Sequence, residues 1–247
     1  EYMRSASSKG LYDPFTEHDA CGFGFVANID GRREHKIVRR GIQVLERLVH
    51  RGACGCDPET GDGAGLLFQI PDRLFRAVTP DAGFELPPAN EYAVGMVFLP
   101  QDEADRTACR ALLEKHIVGE GQAILGWRQV PTNADALGRL AREAEPVIDQ
   151  IFIQCADGLD TDAFERKLYV IRKLVEHESF ASDIAQKDDF YICSMSARTI
   201  VYKGLMLAYQ IADYYLDLSD DRFETAIALC HQRYSTNTLP KWRLAHP

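Results

Sequence analysis

The stretch Ala20-Cys21-Gly22-Phe23-Gly24-Phe25-Val26-Ala27-Asn28-Ile29-Asp30-Gly31 decides how the rest of the chain is read. Its residues alternate and end in Asp-Gly, the signature of a strand running into a tight turn, so the spacing predicts a buried strand that begins at a cysteine. The glycine after the thiol lets backbone or substrate approach closely, which makes Cys21 a plausible nucleophile. Free cysteine is also among the most buried residue types, so local context alone leaves a structural role open. Downstream, Ile37, Gly41, Val44, Leu45 and Leu48 recur at helical spacing between Lys36 and Val49, a helix suited to packing on that strand's sheet. Arg51–Asp62 then reads as a loop crowded with Gly, Cys and Asp, and Gly63–Pro71 as a second buried strand.

The alternation continues. Strands are expected at Tyr92–Leu99, Gln122–Val130, Pro146–Gln154 and Ala226–Gln232, helices at Glu103–Val118 and Asp160–Glu178, and a helix-like stretch around Leu205–Tyr214. Phe190–Ser196 and Thr199–Tyr202 read as a strand pair. The pattern predicts an α/β or α+β protein with sheets covered by helices, and periodicity does not fix their order.

With 247 residues, 46% hydrophobic and 26% charged, the chain can bury a large core, and no Pro/Gly/Ser-rich linker divides it, so a single domain is expected. The 28 basic and 37 acidic residues give a net charge of -9, which argues against nucleic acid as a partner. Apolar runs fall far short of the roughly 20 residues that cross a bilayer. Residues Glu1–Ala20 lack the apolar core of a secretory signal, and seven irregularly spaced cysteines suit reduced thiols in a cytoplasmic setting, with no disulfides expected. Cys54 and Cys56 have no second pair at zinc spacing, so no metal site is predicted. Gly61, Gly63 and Gly65 lack the lysine and following helix of a phosphate loop.

Six blocks, in order, carry a resemblance: Tyr12–Phe25 around the cysteine, His50–Ala53, Thr60–Gly65, Val201–Leu205, Tyr215–Leu218 and His231–Thr238. Together they resemble the amidotransferase domain of glutamate synthase large subunits, a branch of the N-terminal-nucleophile amidotransferases. The resemblance implies an α+β fold, a four-layer αββα sandwich of the N-terminal-nucleophile hydrolase type. It also implies that residues 1–20 are a prosegment to be removed, and that 21–247 form a class II glutamine amidotransferase domain continuing past the chain end. Once Cys21 is the first residue, its own α-amino group, with a reference pKa of about 7.7–8.0, comes within reach of its thiol and can serve as the base. While Ala20 is attached that nitrogen is an amide and the precursor is expected to be inactive.

The implied reaction hydrolyses L-glutamine to glutamate and ammonia through a γ-glutamyl thioester on Cys21. Arg233 aligns with the family's arginine for the substrate α-carboxylate, a contact suited to a planar guanidinium. Ser235, Thr236 and Asn237 follow on the same loop and can either bond substrate and brace Arg233 or simply shape a turn. Arg51 matches a loop near the nucleophile in relatives; its alternative is an ion pair after a helix end. The family's oxyanion-hole asparagine and glycine are expected beyond Pro247. No cofactor is expected in this segment; FMN and an iron-sulfur cluster are implied for the full-length enzyme, as are downstream synthase domains passing ammonia to 2-oxoglutarate. The electron donor stays open between NADPH through a small subunit and ferredoxin. The competing classes are another N-terminal-nucleophile amide hydrolase, and a noncatalytic glutamine-sensing or docking domain.

Overall fold

The structure, a computed structural model, describes residues 21–54, 57–235 and 238–246. The expected prosegment, Cys56 and the candidate residues Thr236 and Asn237 lie outside the described residues.

In chain order the elements are β1 (Gly22–Ala27), α1 (His35–Arg47), β2 (Ala64–Gln69), α2 (Asp72–Val78), β3 (Tyr92–Leu99), α3 (Glu103–Gly119), β4 (Ala123–Gln129) and α4 (Arg139–Glu143). They are followed by β5 (Val147–Gln154), α5 (Thr161–Ala181), β6 (Tyr191–Ser196), β7 (Thr199–Gly204), α6 (Ile211–Tyr214) and β8 (Ile227–Gln232). The strands form two four-stranded antiparallel sheets, ordered β1-β8-β2-β7 and β4-β5-β3-β6. Asp102 and Asp160 start the two long helices by accepting the amides of Asp105 and Ala163, caps worth about 1 kcal/mol each.

Strand alternation divides the second sheet cleanly. Ala93, Val97, Leu99, Ile151 and Ile153 face Cys109, Leu113, Ile117, Phe164, Leu168 and Ile171 of α3 and α5. Val94, Met96, Phe98, Ile148 and Phe152 point the other way, into a core shared with Leu66, Phe68, Ile200 and Tyr202 of the first sheet. A buried polar relay crosses between the sheets. Arg128 grips Asp217 with both terminal nitrogens, at 2.6 and 2.9 Å, and also donates to Gln150. Tyr202 donates to Asp217 at 2.9 Å and accepts from Gln150. Every charge and dipole in this relay has a partner, the condition under which a buried pair is tolerated. The sheets and helices form the α+β sandwich that the resemblance implies.

Helix α1 packs on β8, β1 and β2. Its buried stripe is Ile37, Val38, Gly41, Ile42 and Leu45, and a Cβ on Gly41 would come within 2.6 Å of the Ala228 Cβ, so glycine sets how closely helix and sheet approach. On the opposite side of β1, Phe23 and Phe25 are 66% and 63% exposed, so β1 is not the buried strand the sequence pattern predicts but one covered by α1 on a single face.

Strands β6 and β7 do not pair with each other as the sequence pattern suggests; β6 joins β3 and β7 joins β2, so the chain crosses from one sheet to the other through Ala197 and Arg198. Serine side chains make this possible. The Ser196 hydroxyl accepts the amides of Arg198 and Thr199, and the Ser194 hydroxyl accepts that of Val201, meeting backbone donors that a hairpin ladder would otherwise satisfy.

Candidate functional site

Cys21 stands at the head of β1, and among the described residues β1 has one sheet neighbour, β8, with Gly22 opposite Gln232. That register brings the residues following β8 alongside the thiol. The Tyr234 amide donates to Cys21 Sγ at 3.3 Å, and the Sγ lies 3.6 Å from the Tyr234 carbonyl oxygen. The thiol is otherwise exposed, open to an incoming amide. Cys54 is exposed as well, whereas Cys109, Cys193 and Cys230 are buried. Burial pushes Cys230 up to about 11 and Cys109 and Cys193 up to about 12, so those thiols stay protonated and unreactive near neutral pH.

Arg233 is 7% exposed. Its backbone amide donates to the Gly63 carbonyl at 2.8 Å, extending the β8–β2 pairing by one step. Its guanidinium donates to the Asp62 carbonyl at 3.4 Å and to the Thr238 hydroxyl at 2.5 Å. Among the described residues no carboxylate lies within ion-pair distance of it. A buried guanidinium that among the described residues meets a carbonyl and a hydroxyl but no carboxylate is stabilised when an anion enters.

Ser235 sits half-buried on the same turn, its amide donating to the Asp62 carboxylate at 2.6 Å and its hydroxyl to the Thr238 carbonyl. Arg51 ends the short helical turn after α1, and its side-chain stem lies beneath β1, 2.8 Å from where a Cβ on Gly22 would stand. So Cys21, Arg51, Arg233 and Ser235 are brought together. Glycine permits this: at Gly52 an added Cβ would stand 2.4 Å from the Gln232 side chain, which itself donates to the Gly63 carbonyl.

Asp62, Gly63, Tyr234 and Thr238, which are not among the candidates expected from sequence, all touch Cys21, Arg233 or Ser235. Their placement inside the Thr60–Gly65 and His231–Thr238 blocks was the available signal. His231 lies one row further along, against His246 with ring centroids 5.4 Å apart. Burial first, then the proximity of His246 and Arg233, pushes its imidazole down to about 4, so it is neutral at physiological pH. Among the described residues no cluster of three or more His, Cys, Asp or Glu side chains could hold a metal ion, and no helix is long and apolar enough to cross a membrane.

An exposed thiol at a strand head, facing a turn that buries an arginine with no carboxylate beside it among the described residues, suits hydrolysis of an amide whose substrate carries a carboxylate. The family model for class-II glutamine amidotransferases matches residues 21–247, and the chain belongs to that family. In particular it is similar to glutamate synthase large chains: 46% identical over 247 residues, all of the chain, to the NADPH enzyme of Bacillus subtilis (strain 168), and 46% over 242 residues, 98% of the chain, to that of Azospirillum brasilense. It is also 40% identical over 231 residues, 94% of the chain, to ferredoxin-dependent glutamate synthase 2 of Synechocystis sp.. The chain spans about a sixth of the length of these relatives, 16% of the first two and 14% of the third.

Proposed function

We propose that this domain releases ammonia from L-glutamine for a glutamate synthase, with Cys21 as nucleophile and Arg233 as the clamp for the substrate α-carboxylate. The observation that carries the reading is the buried guanidinium of Arg233, without a carboxylate partner among the described residues, one residue from the amide that touches Cys21 Sγ. The match of the family model from Cys21 onward supports processing at the Ala20–Cys21 bond.

With Ala20 removed, the freed α-amine takes the thiol proton and the thiolate attacks the side-chain carbonyl of glutamine. The tetrahedral intermediate collapses as the amine returns that proton to the departing nitrogen, releasing ammonia and leaving a γ-glutamyl thioester. The amine then deprotonates water, which attacks the thioester, frees glutamate and restores the thiol. Arg233 fixes the α-carboxylate, so the reacting carbonyl is presented at a set distance from Sγ. Ser235 and the neighbouring Thr236 and Asn237 shape the turn that holds Arg233, and Arg51 flanks the nucleophile from beneath β1.

In the whole protein the ammonia passes to 2-oxoglutarate in downstream domains of the same chain, where FMN and an iron-sulfur cluster reside. NADPH and ferredoxin are the two electron donors that the relatives' names carry, and a small NADPH-oxidising subunit is the partner proposed for the first arrangement. A reducing cytoplasm suits a nucleophile that must remain a free thiol.

The test is intact-mass and N-terminal analysis of the full-length protein from its own host, after treatment with a glutamine-like electrophile. A chain beginning at Cys21 with one adduct there is the expected result. A chain that keeps Ala20 and refuses the reagent overturns the reading.

A further inference from the structure

The Asp62-Gly63 step of the loop before β2 makes an unusual share of the contacts that shape the site. The Gly63 carbonyl accepts the Arg233 amide and the Gln232 side chain, and the Asp62 carbonyl accepts the Arg233 guanidinium. The Asp62 carboxylate takes the Ser235 amide at 2.6 Å, and the Asp62 amide is itself tied to the Ala53 carbonyl at 2.9 Å. Asp62 is 5% exposed, so its carboxylate was withdrawn from water to make these bonds.

An aspartate this close to a buried arginine ordinarily forms an ion pair. Here no Asp62 oxygen of the carboxylate lies within 4.0 Å of the Arg233 guanidinium; the carboxylate is spent on a backbone amide, a charge-assisted bond that pins the turn from the far side. Resting on the proposed role of Arg233, we infer that Asp62 is a positioning residue: its carboxylate fixes the Arg233–Ser235 turn while leaving the guanidinium's charge available to the substrate carboxylate. A neutral acceptor of the same shape can hold the Ser235 amide, whereas a methyl group cannot.

The experiment compares Asp62→Ala, Asp62→Asn and Arg233→Ala in the full-length protein, reading the glutamine KM, kcat with glutamine, kcat with free ammonia, and melting temperature. Expected for Asp62→Ala is a rise of about tenfold in glutamine KM, equivalent to about 1.4 kcal/mol, with ammonia-dependent turnover retained. Asp62→Asn is expected to recover most of that loss. If Arg233→Ala raises KM but Asp62→Ala does not, the assignment of Asp62 fails. If Asp62→Ala and Asp62→Asn lower glutamine- and ammonia-dependent turnover alike and depress the melting temperature, Asp62 is structural and the assignment also fails. An unchanged KM in Arg233→Ala overturns the underlying reading of the clamp instead.

Discussion

The Tyr234 amide and the Cys21 sulfur, 213 positions apart in sequence, meet at 3.3 Å. A sulfur attacking from Cys21 therefore has an N–H donor already beside it. Replacing the sulfur tests this arrangement most directly. Cys21→Ser should abolish glutamine-dependent turnover while leaving the full enzyme able to use free ammonia. Equal loss of both activities would assign Cys21 to folding.

At Gly52 the Gln232 side chain occupies the space a Cβ requires. Gly52→Ala should push Gln232 off the Gly63 carbonyl and disturb the step from β8 into the Arg233 turn. A rise of severalfold in glutamine KM and a loss of about 1–3 kcal/mol in stability are expected, typical of overpacking. Wild-type values for both in a denaturation and kinetic series would show that the contact yields without consequence.

The Arg128–Asp217 pair lies between the sheets with both side chains at or below 10% exposure. Asp217→Ala leaves the guanidinium buried without its carboxylate, and Tyr202 loses its acceptor. Removing one partner of such a pair costs about 3–5 kcal/mol, so calorimetry should show the melting temperature falling by about 10 °C. A shift within about 2 °C would mean that water or Gln150 replaces the carboxylate.

The acid response of the domain should depend on His231. Its folded pKa of about 4 lies below the ordinary histidine value of 6.5, so the unfolded chain binds more protons between those two values. Stability from this group is complete above about pH 6.5, falls as pH drops through the window, and levels off below about 4. His246, held down from its ordinary value chiefly by burial, adds in the same direction, while Arg233 faces both rings as a fixed positive charge. Urea midpoints at pH 7, 5.5 and 4.5 should decline less steeply for His231→Gln than for wild type. Parallel curves would remove His231 as a contributor.

The strands from β1 to β8 and the long helices were legible because period-two and period-3.6 patterns report local burial. Ile37, Gly41 and Leu45 marked the α1 face for that reason. Pairing was not legible. Nothing local in Gly22–Ala27 says that its partner is Ile227–Gln232, and Thr199–Gly204 looks like the return strand of a hairpin until Ser194 and Ser196 are seen taking backbone amides. The candidate site shows the same division. Cys21 and Arg233 were identified as chemical groups within motif blocks, and Arg51 and Ser235 through their neighbours. Asp62 was passed over because an aspartate in a glycine-rich loop is ordinary in sequence, and its distinction lies in contacts made 173 positions away. The roles of Cys21, Arg51, Arg233 and Ser235 stand as proposals, as do those of Thr236 and Asn237 outside the described residues.

The edge position of β1 has a consequence for how the protein is made. The ribosome delivers the cysteine strand more than two hundred residues before β8, its one sheet neighbour among the described residues. Until then the nascent thiol has no Tyr234 amide beside it and no arginine turn to face. Synthesis therefore acts as a timer: the contact between the Cys21 sulfur and the Tyr234 amide forms only after both stretches have emerged.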